Sequence, residues 1–360
     1  MIPKIGSINA KKLIAYCGGI EGVFKESKKS LLKIPGIGEV LANEIANQKV
    51  LDKAEREVEF IEKYGITALF YLDNDYPERL RQCEDCPIVL FVKSKSLINF
   101  NTEKYISVVG TRKATDYGKE MTEKLIDGLV EKGYKPIIVS GLAYGIDIAA
   151  HKSALKNNLQ TFAVLGHGLD TIYPVSHRNV AKEIVDTGAL ITDFPSDTKF
   201  DRNNFIKRNR IIARLTDATI VVESGDQGGA LITADLANSY NREVFAIPGH
   251  VGSKYSEGCN QLIKSNRAAL IETSDDIEYF LGWEPTTVKN QPKQITLFAD
   301  LSSDEQCIVD YLKTVEQESI DLICIKTQMP VSKVSSLLLN LEFAGLVKSK
   351  PGKVYSIIHR

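Results

Sequence analysis

The sequence predicts an α/β protein: a doubly wound parallel sheet, with a small helical module before it and a unit of three helices and a hairpin after it. Three observations carry that expectation. Beyond Ala68, short apolar runs alternate with amphipathic helical stretches; glycines cluster where the runs end; and a polar segment containing two prolines sets off the C-terminal part. The 360 residues also exceed the ~250–300 at which one core stops growing, so several units are expected.

The first unit is assigned to residues 1–67. Leu31 to Ala46 reads LLKIPGIGEVLANEIA, an apolar helix running into Ile34-Pro35-Gly36-Ile37-Gly38 and then a second helix with Val40, Leu41 and Ile45 expected inward. This is a helix-hairpin-helix pattern. The glycines permit a tight turn that leaves amides at the start of the second helix, where a phosphate would be favoured. A hairpin that only packs has the same pattern, and both readings stand at this point.

The second unit is assigned to residues 68–284. Expected strands are Tyr105–Val109, Pro136–Ser140, Thr161–Leu165, Ala189–Thr192, Thr219–Glu223 and Glu243–Ile247, all short continuous apolar runs suited to a sheet buried on both faces. Helices at Tyr117–Lys132, Gly145–Asn157 and Ala230–Asn241 fall between them. Residues 285–297 lie in EPTTVKNQPKQITL, which suits a linker. In the last unit, 298–360, Ser302 caps a helix over Asp304–Val315, a second helix lies near Leu322–Thr327, and a third starts after Pro330. Strands at Leu346–Ser349 and Val354–Ile358 flank Lys350-Pro351-Gly352-Lys353, giving the pattern of a winged helix.

Composition narrows the functions. A hydrophobic share of 43% and a charged share of 25% are ordinary for a soluble protein, and no apolar run reaches the ~18 residues of a membrane span. Met1 to Ala10 has neither the apolar core nor the cleavage site of a secretory signal, so a cytoplasmic location without membrane contact is expected. The six cysteines are expected as thiols, and Cys83-x-x-Cys86, with no second pair or nearby histidine, is read as structural rather than as a zinc site. Formal net charge is −1, so attraction to a polyanion would have to come from local clustering.

Such a cluster exists. From Asp201 to Asp217 no acid intervenes, while Arg202, Lys207, Arg208, Arg210 and Arg214 supply five positive charges. On a helix, Lys207, Arg210 and Arg214 share one face, with Ile211, Ile212 and Leu215 anchoring it. Phe205, just before, is a candidate to stack on an unpaired base. The other reading is a core phenylalanine beside a solvated charged face. Gly110, Gly141, Gly145, Gly166, Gly168, Gly225, Gly228 and Gly229 sit at strand ends, which in an open parallel sheet form one ligand-binding rim. At Gly110-Thr111-Arg112 a bare turn precedes a guanidinium, so both could donate to phosphate oxygens. Neither a G-x-G-x-x-G with a downstream acid nor a Walker A loop is present, so no nucleotide cofactor is expected and ATP hydrolysis has no visible apparatus. His151, His167 and His250 lie at no spacing that pairs them with a nucleophile or a metal, and capping or core roles are expected.

Eight segments then carry a resemblance. They are VVGTRKATDYG (108–118), SGLAYGIDIAAH (140–151), AVLGHGLDTIYP (163–174), GALIT (188–192), RNRIIA (208–213), GGALITADLA (228–237), NREVFAIPG (241–249) and GCNQLI (258–263). In order and spacing the chain resembles the DNA-processing protein A (DprA/Smf) family, as do its flanking modules. The resemblance implies a Rossmann-like domain and a protein that is not an enzyme. It further implies that the protein holds incoming single-stranded DNA, protects it and loads RecA recombinase during natural transformation, working as a homodimer. On it, the strand-binding set comprises Gly110, Thr111, Arg112, Gly141, Phe205, Lys207, Arg208, Asn209, Arg210, Gly228 and Gly229. The family's usual Phe-Pro is here Phe205-Ile206, and its Ala-Gly is Ala213-Arg214, which adds a cation and leaves the end of the helix open.

A second reading, a nucleotide-processing hydrolase of the lysine-decarboxylase-like Rossmann group, would need P-G-G-x-G-T-x-x-E. Ser224-Gly225-Asp226-Gln227-Gly228-Gly229-Ala230 has no Glu on the next helical turn. A transcription regulator acting through the winged helix is the third. From Ser302 onward acids and bases balance, and the third helix offers only Lys333 before Gly345, so strong duplex binding is not expected and a partner-binding or accessory role is.

Overall fold

The computed structural model describes residues 2–101, 104–284, 301–315, 317–350 and 352–358. The expected linker at 285–297 lies outside the described residues. Five helices come first: α1 (Ser7–Tyr16), α2 (Ile20–Lys25), α3 (Lys28–Leu31), α4 (Glu39–Ala46) and α5 (Leu51–Tyr64). Leu13, Val23, Leu31, Ile34, Ile37, Ala42 and Ile45 form their common core. The turn between α3 and α4 uses Gly36 at φ 84°, a conformation open to glycine. Val40, expected inward, is exposed. Ala42 and Ile45 point α4 at the core, and Val40 falls on the opposite side of that helical phase. At the start of α4 a Lys28–Glu39 ion pair of 2.7 Å already occupies the helix terminus, which favours the packing reading of this hairpin over a phosphate site.

The central unit runs β1 (Thr67–Phe70), α6 (Glu78–Arg81), β2 (Val89–Lys93), β3 (Tyr105–Val109), α7 (Asp116–Glu131), β4 (Ile137–Ser140), α8 (Ile146–Lys156), β5 (Thr161–Val164), α9 (Arg178–Thr187) and β6 (Ala189–Thr192). It continues through α10 (Arg202–Leu215), β7 (Ala218–Val221), α11 (Gly229–Ser239), β8 (Glu243–Ala246), α12 (Glu257–Lys264), β9 (Ala269–Leu270) and α13 (Ser274–Leu281). The nine strands lie in the order β1-β2-β6-β5-β4-β3-β7-β8-β9. From β6 to β9 all neighbours are parallel. Strand β2 runs antiparallel to β6 and to β1, an edge the sequence reading did not anticipate.

The chain winds outward from β3 to β6 and then returns to place β7 on the other side of β3. The switch point therefore lies between β3 and β7, where ligand crevices form in such sheets. One face packs Leu125, Ile126, Leu129, Ile146 and Ala150 of α7 and α8 against the sheet, and the other packs Ile211, Ile212, Leu215, Ala230 and Ala234 of α10 and α11. Residues in β3, β4, β5, β6 and β7 are buried without exception. That explains their unbroken apolar runs.

The last unit contains α14 (Ser303–Leu312), β10 (Glu318–Ser319), α15 (Ile320–Thr327), α16 (Val331–Phe343), β11 (Val347–Lys350) and β12 (Val354–Ile357). Ser302 and Glu305 close a capping box on α14, with Ser302 N donating to the Glu305 carboxylate at 2.9 Å. The hairpin pairs Val347 with Ile357 through Lys350 with Val354, and β10 adds a third strand. This is a winged helix. Among the described residues no helix is long and apolar enough to cross a membrane.

Candidate nucleic-acid interface

The C-terminal rim of the sheet is made of loops pressed together through glycine. Thr111 N donates to Glu223 O at 2.7 Å, tying the turn after β3 to the one after β7, and Ile146 N donates to Thr111 O at 3.2 Å. A Cβ on Gly145, which sits at φ 79° and ψ −121°, would lie 2.1 Å from Thr111 O. One on Gly110 would lie 2.4 Å from the Ile146 side chain. The glycines at these two positions are thus demanded by loop-on-loop contact. Glu223, itself buried, braces the crevice by accepting from Thr115 N at 2.9 Å and Thr115 Oγ1 at 2.5 Å.

Arg112 stands exposed on this rim, with its guanidinium 5.7 Å from the centroid of the Phe205 ring. Phe205 is half-buried in the second turn of α10, and its ring approaches so closely that a Cβ on Gly166 would lie 3.0 Å from it. Asp201 caps α10 by accepting from Asn203 N at 2.8 Å. Lys207 is exposed two residues beyond Phe205, and Asn209 Nδ2 reaches Gly229 O at 3.4 Å. The fold thereby brings Arg112 against Phe205, Asn209 against Gly229, and buried Gly141 against the Arg208 guanidinium, with Gly110 and Thr111 in the turn that carries Arg112 and Lys207 exposed on α10.

The cationic run does not form the single open face that helical spacing predicts. Arg208 is 4% exposed. Its Nη1 donates to Val164 O, and its guanidinium lies where a Cβ on Gly141 would be, 2.3 Å away. Burial pushes the Arg208 pKa down to about 10, opposed by Asp147 and reinforced by Arg112. Asp147, at the start of α8, is buried too, so desolvation raises its pKa while Arg208 and the Ala143 amide pull it back. Arg210 is ion-paired with Asp193 and also donates to Asp85 O. Arg214 spans α6, α10 and α11, donating to Arg79 O at 2.7 Å, Tyr240 O at 2.9 Å and Gln82 Oε1 at 3.2 Å. Helix α10 runs through it to Leu215. Arg208, Arg210 and Arg214 are thus committed to protein partners, because the fold delivers acids and carbonyls that lie far from them in sequence.

His151 and His167 are buried, as core roles require, and His250 is exposed with Nδ1 2.7 Å from Val251 O. Cys83 and Cys86 are buried free thiols, and burial pushes Cys83 up to about 11. In the winged helix, Lys333 pairs with Asp304 at 2.7 Å, while Val331, Leu339 and Phe343 stand exposed on α16. A recognition helix that neutralises phosphates would carry cations there. The sequence reading missed Tyr173 and Phe200, exposed rings packed around Phe205, since aromatic residues in loops between elements carry no periodic signal.

Residues 67–282 match the family model of DNA recombination-mediator protein A, and residues 296–353 match the DprA winged helix domain. The chain belongs to the DNA recombination-mediator protein A family. It is 32% identical over 385 aligned positions to Protein Smf of Synechocystis, covering 98% of this chain and 95% of that one. To the DNA processing protein DprA of Streptococcus pneumoniae it is 38% identical over 207 positions, covering 57% of this chain and 71% of that one. The X-ray structure of the pneumococcal protein superposes with a TM-score of 0.58 at 29% identity, over 77% of this chain and 98% of that one. A Helicobacter pylori DNA processing protein A, described for its single-stranded DNA binding mode, superposes at 0.54 and 28% identity over 61% and 96%. Family membership places the protein in DNA processing.

Proposed function

We propose that the protein binds single-stranded DNA along the rim at the switch point, protects it, and loads RecA onto it during natural transformation and recombination, without catalysing a reaction. The observation that carries this is Arg112 poised over Phe205 beside the linked glycine turns: one guanidinium for the backbone and one ring for a base. The single-strand binding described for the Helicobacter pylori neighbour supports the same reading. The contact set is Gly110, Thr111, Arg112, Phe205, Lys207, Asn209, Gly228 and Gly229, with Gly141 and Arg208 forming the floor and Arg210 held to Asp193. The working units are 1–67, 68–284 and 298–360, joined by 285–297, in a cytoplasmic homodimer.

The test is a gel shift with single strands and duplex of equal length. The wild type retards the single strand preferentially, and Arg112→Ala weakens binding to every sequence alike. Equal retardation of duplex, or an unchanged Arg112→Ala, would refute the assignment. Backbone contact also sets a salt dependence. With roughly 3–4 phosphates neutralised per protomer, the slope of log affinity against log salt is expected near about −2 to −3. Titration by fluorescence anisotropy measures it, and a flat response would remove the electrostatic term.

A further inference from the structure

We propose that Tyr173 and Phe200 form a second base-stacking platform, which continues the path of a single strand from Arg112 and Phe205 across the ends of β5 and β6. The proposal rests on the single-strand reading above. Phe200 stacks on buried His167 at 5.4 Å and 23° between planes, so one face of the ring is backed by protein. Tyr173 meets Phe200 edge-on at 4.6 Å, and Phe205 lies 5.6 Å from Phe200 and 6.0 Å from Tyr173. Three rings and the Arg112 guanidinium thus form one connected surface.

The outer part of that surface is open: Phe200 is 50% exposed and Tyr173 43%. Exposed rings joined in a patch mark a contact site more often than isolated ones do. Nor can the patch readily fold away. The loop carrying Phe200 is held by Glu57 of α5, which accepts from Ser196 N at 2.9 Å and Ser196 Oγ at 2.5 Å, and by Phe194 N donating to Thr192 Oγ1 at 3.1 Å. Asn204 Nδ2 reaches back to Lys199 O at 3.4 Å.

Charge identifies the occupant. Exposed Lys199, Arg202 and Lys207 alternate in sequence with Phe200 and Phe205, so cations flank each ring. Asp201, engaged as the cap of α10, and exposed Asp197 and Asp170 lie in the same loops. Rings interleaved with cations suit an unpaired polynucleotide, whose bases stack while its phosphates are neutralised. An apolar protein partner would not call for the cations.

Full-length protein is titrated with oligothymidylate and with an abasic oligomer of equal length, for the wild type, Tyr173→Leu, Phe200→Leu and the conservative Phe200→Tyr. Leucine keeps the apolar packing but removes the ring, and a thermal melt of each variant reports the fold. The wild type is expected to prefer the strand with bases. Each leucine variant should lose about 5- to 100-fold of its affinity for that strand, with abasic affinity and salt slope unchanged. Phe200→Tyr should retain wild-type preference.

Leucine variants that bind oligothymidylate as the wild type does, or that lose both strands equally, overturn the platform. So does a change in oligomeric state with base preference intact, which would make the rings a contact between copies. A wild type that binds both strands equally sinks the platform and leaves the single-strand reading standing. A wild type that binds neither ends both.

Discussion

Replacing Arg208 by methionine is expected to lower folding stability by about 1–3 kcal/mol, because it strips the buried Val164 carbonyl of its donor and removes the cation that offsets the burial of Asp147. Arg208 and Asp147 are both shut away beneath the Gly141–Gly145 turn, and each moderates the cost of burying the other. Methionine fills much of the arginine's volume, so the loss reports the guanidinium's charge and its hydrogen bond rather than a cavity. The double variant Arg208→Met/Asp147→Asn removes both charges and should recover the electrostatic part of the deficit, leaving the lost bond to Val164 O. Lys207→Ala, on the exposed neighbouring turn, should stay within about 0.5 kcal/mol of wild type. Urea unfolding of the four proteins measures these differences. An Arg208→Met protein that keeps its stability but fails to retard single strands would show that this guanidinium serves DNA directly.

The contrast between Arg208 and Lys207 marks where sequence reasoning stops. Spacing alone placed α10, its anchoring residues Ile211, Ile212 and Leu215, and its dense positive charge. It could not tell which cations face water, because that depends on partners contributed by other elements: Asp147 from α8, Asp193 beyond β6, and carbonyls at Val164, Asp85, Arg79 and Tyr240. Alternating apolar runs and strand-end glycines were legible because a sheet buried on both faces leaves no freedom in them. Most strand and helix limits shift by one residue or a few, as at β7, which starts at Ala218 rather than Thr219. The edge strand β2 went unseen because β1, α6 and β2 are short and lack a long period. The aromatic surface was equally hidden, since Tyr173 and Phe200 meet only when the loops after β5 and β6 are brought side by side.

Acid should destabilise the protein through His151, and the sign follows from where its proton goes. Thr161 Oγ1 donates to Ile138 O at 2.8 Å, so it accepts from His151 Nδ1 at 2.7 Å, which places the ring hydrogen on Nδ1. Nε2 is buried without a hydrogen-bond partner among the described residues. Burial, with Arg208 and His177 nearby, pushes the His151 pKa down to about 3. The unfolded chain takes up this proton near the ordinary value of about 6.5, so its proton uptake exceeds that of the folded state throughout the interval. Stability from this group is therefore full above about pH 6.5 and is lost as pH falls toward 3. The slope approaches about 1.4 kcal/mol per unit only below the unfolded pKa, so the loss between pH 6.5 and 4.5 is about 2 kcal/mol. Asp147 acts in the opposite sense, because its raised pKa lets the folded state gain a proton first. Comparison with His151→Leu isolates the histidine. The stability of the wild type relative to His151→Leu should fall by about 2–3 kcal/mol between pH 7 and pH 4.5, read by urea unfolding at each pH. A difference that stays constant would mean that the folded protein protonates His151 as readily as the unfolded chain does.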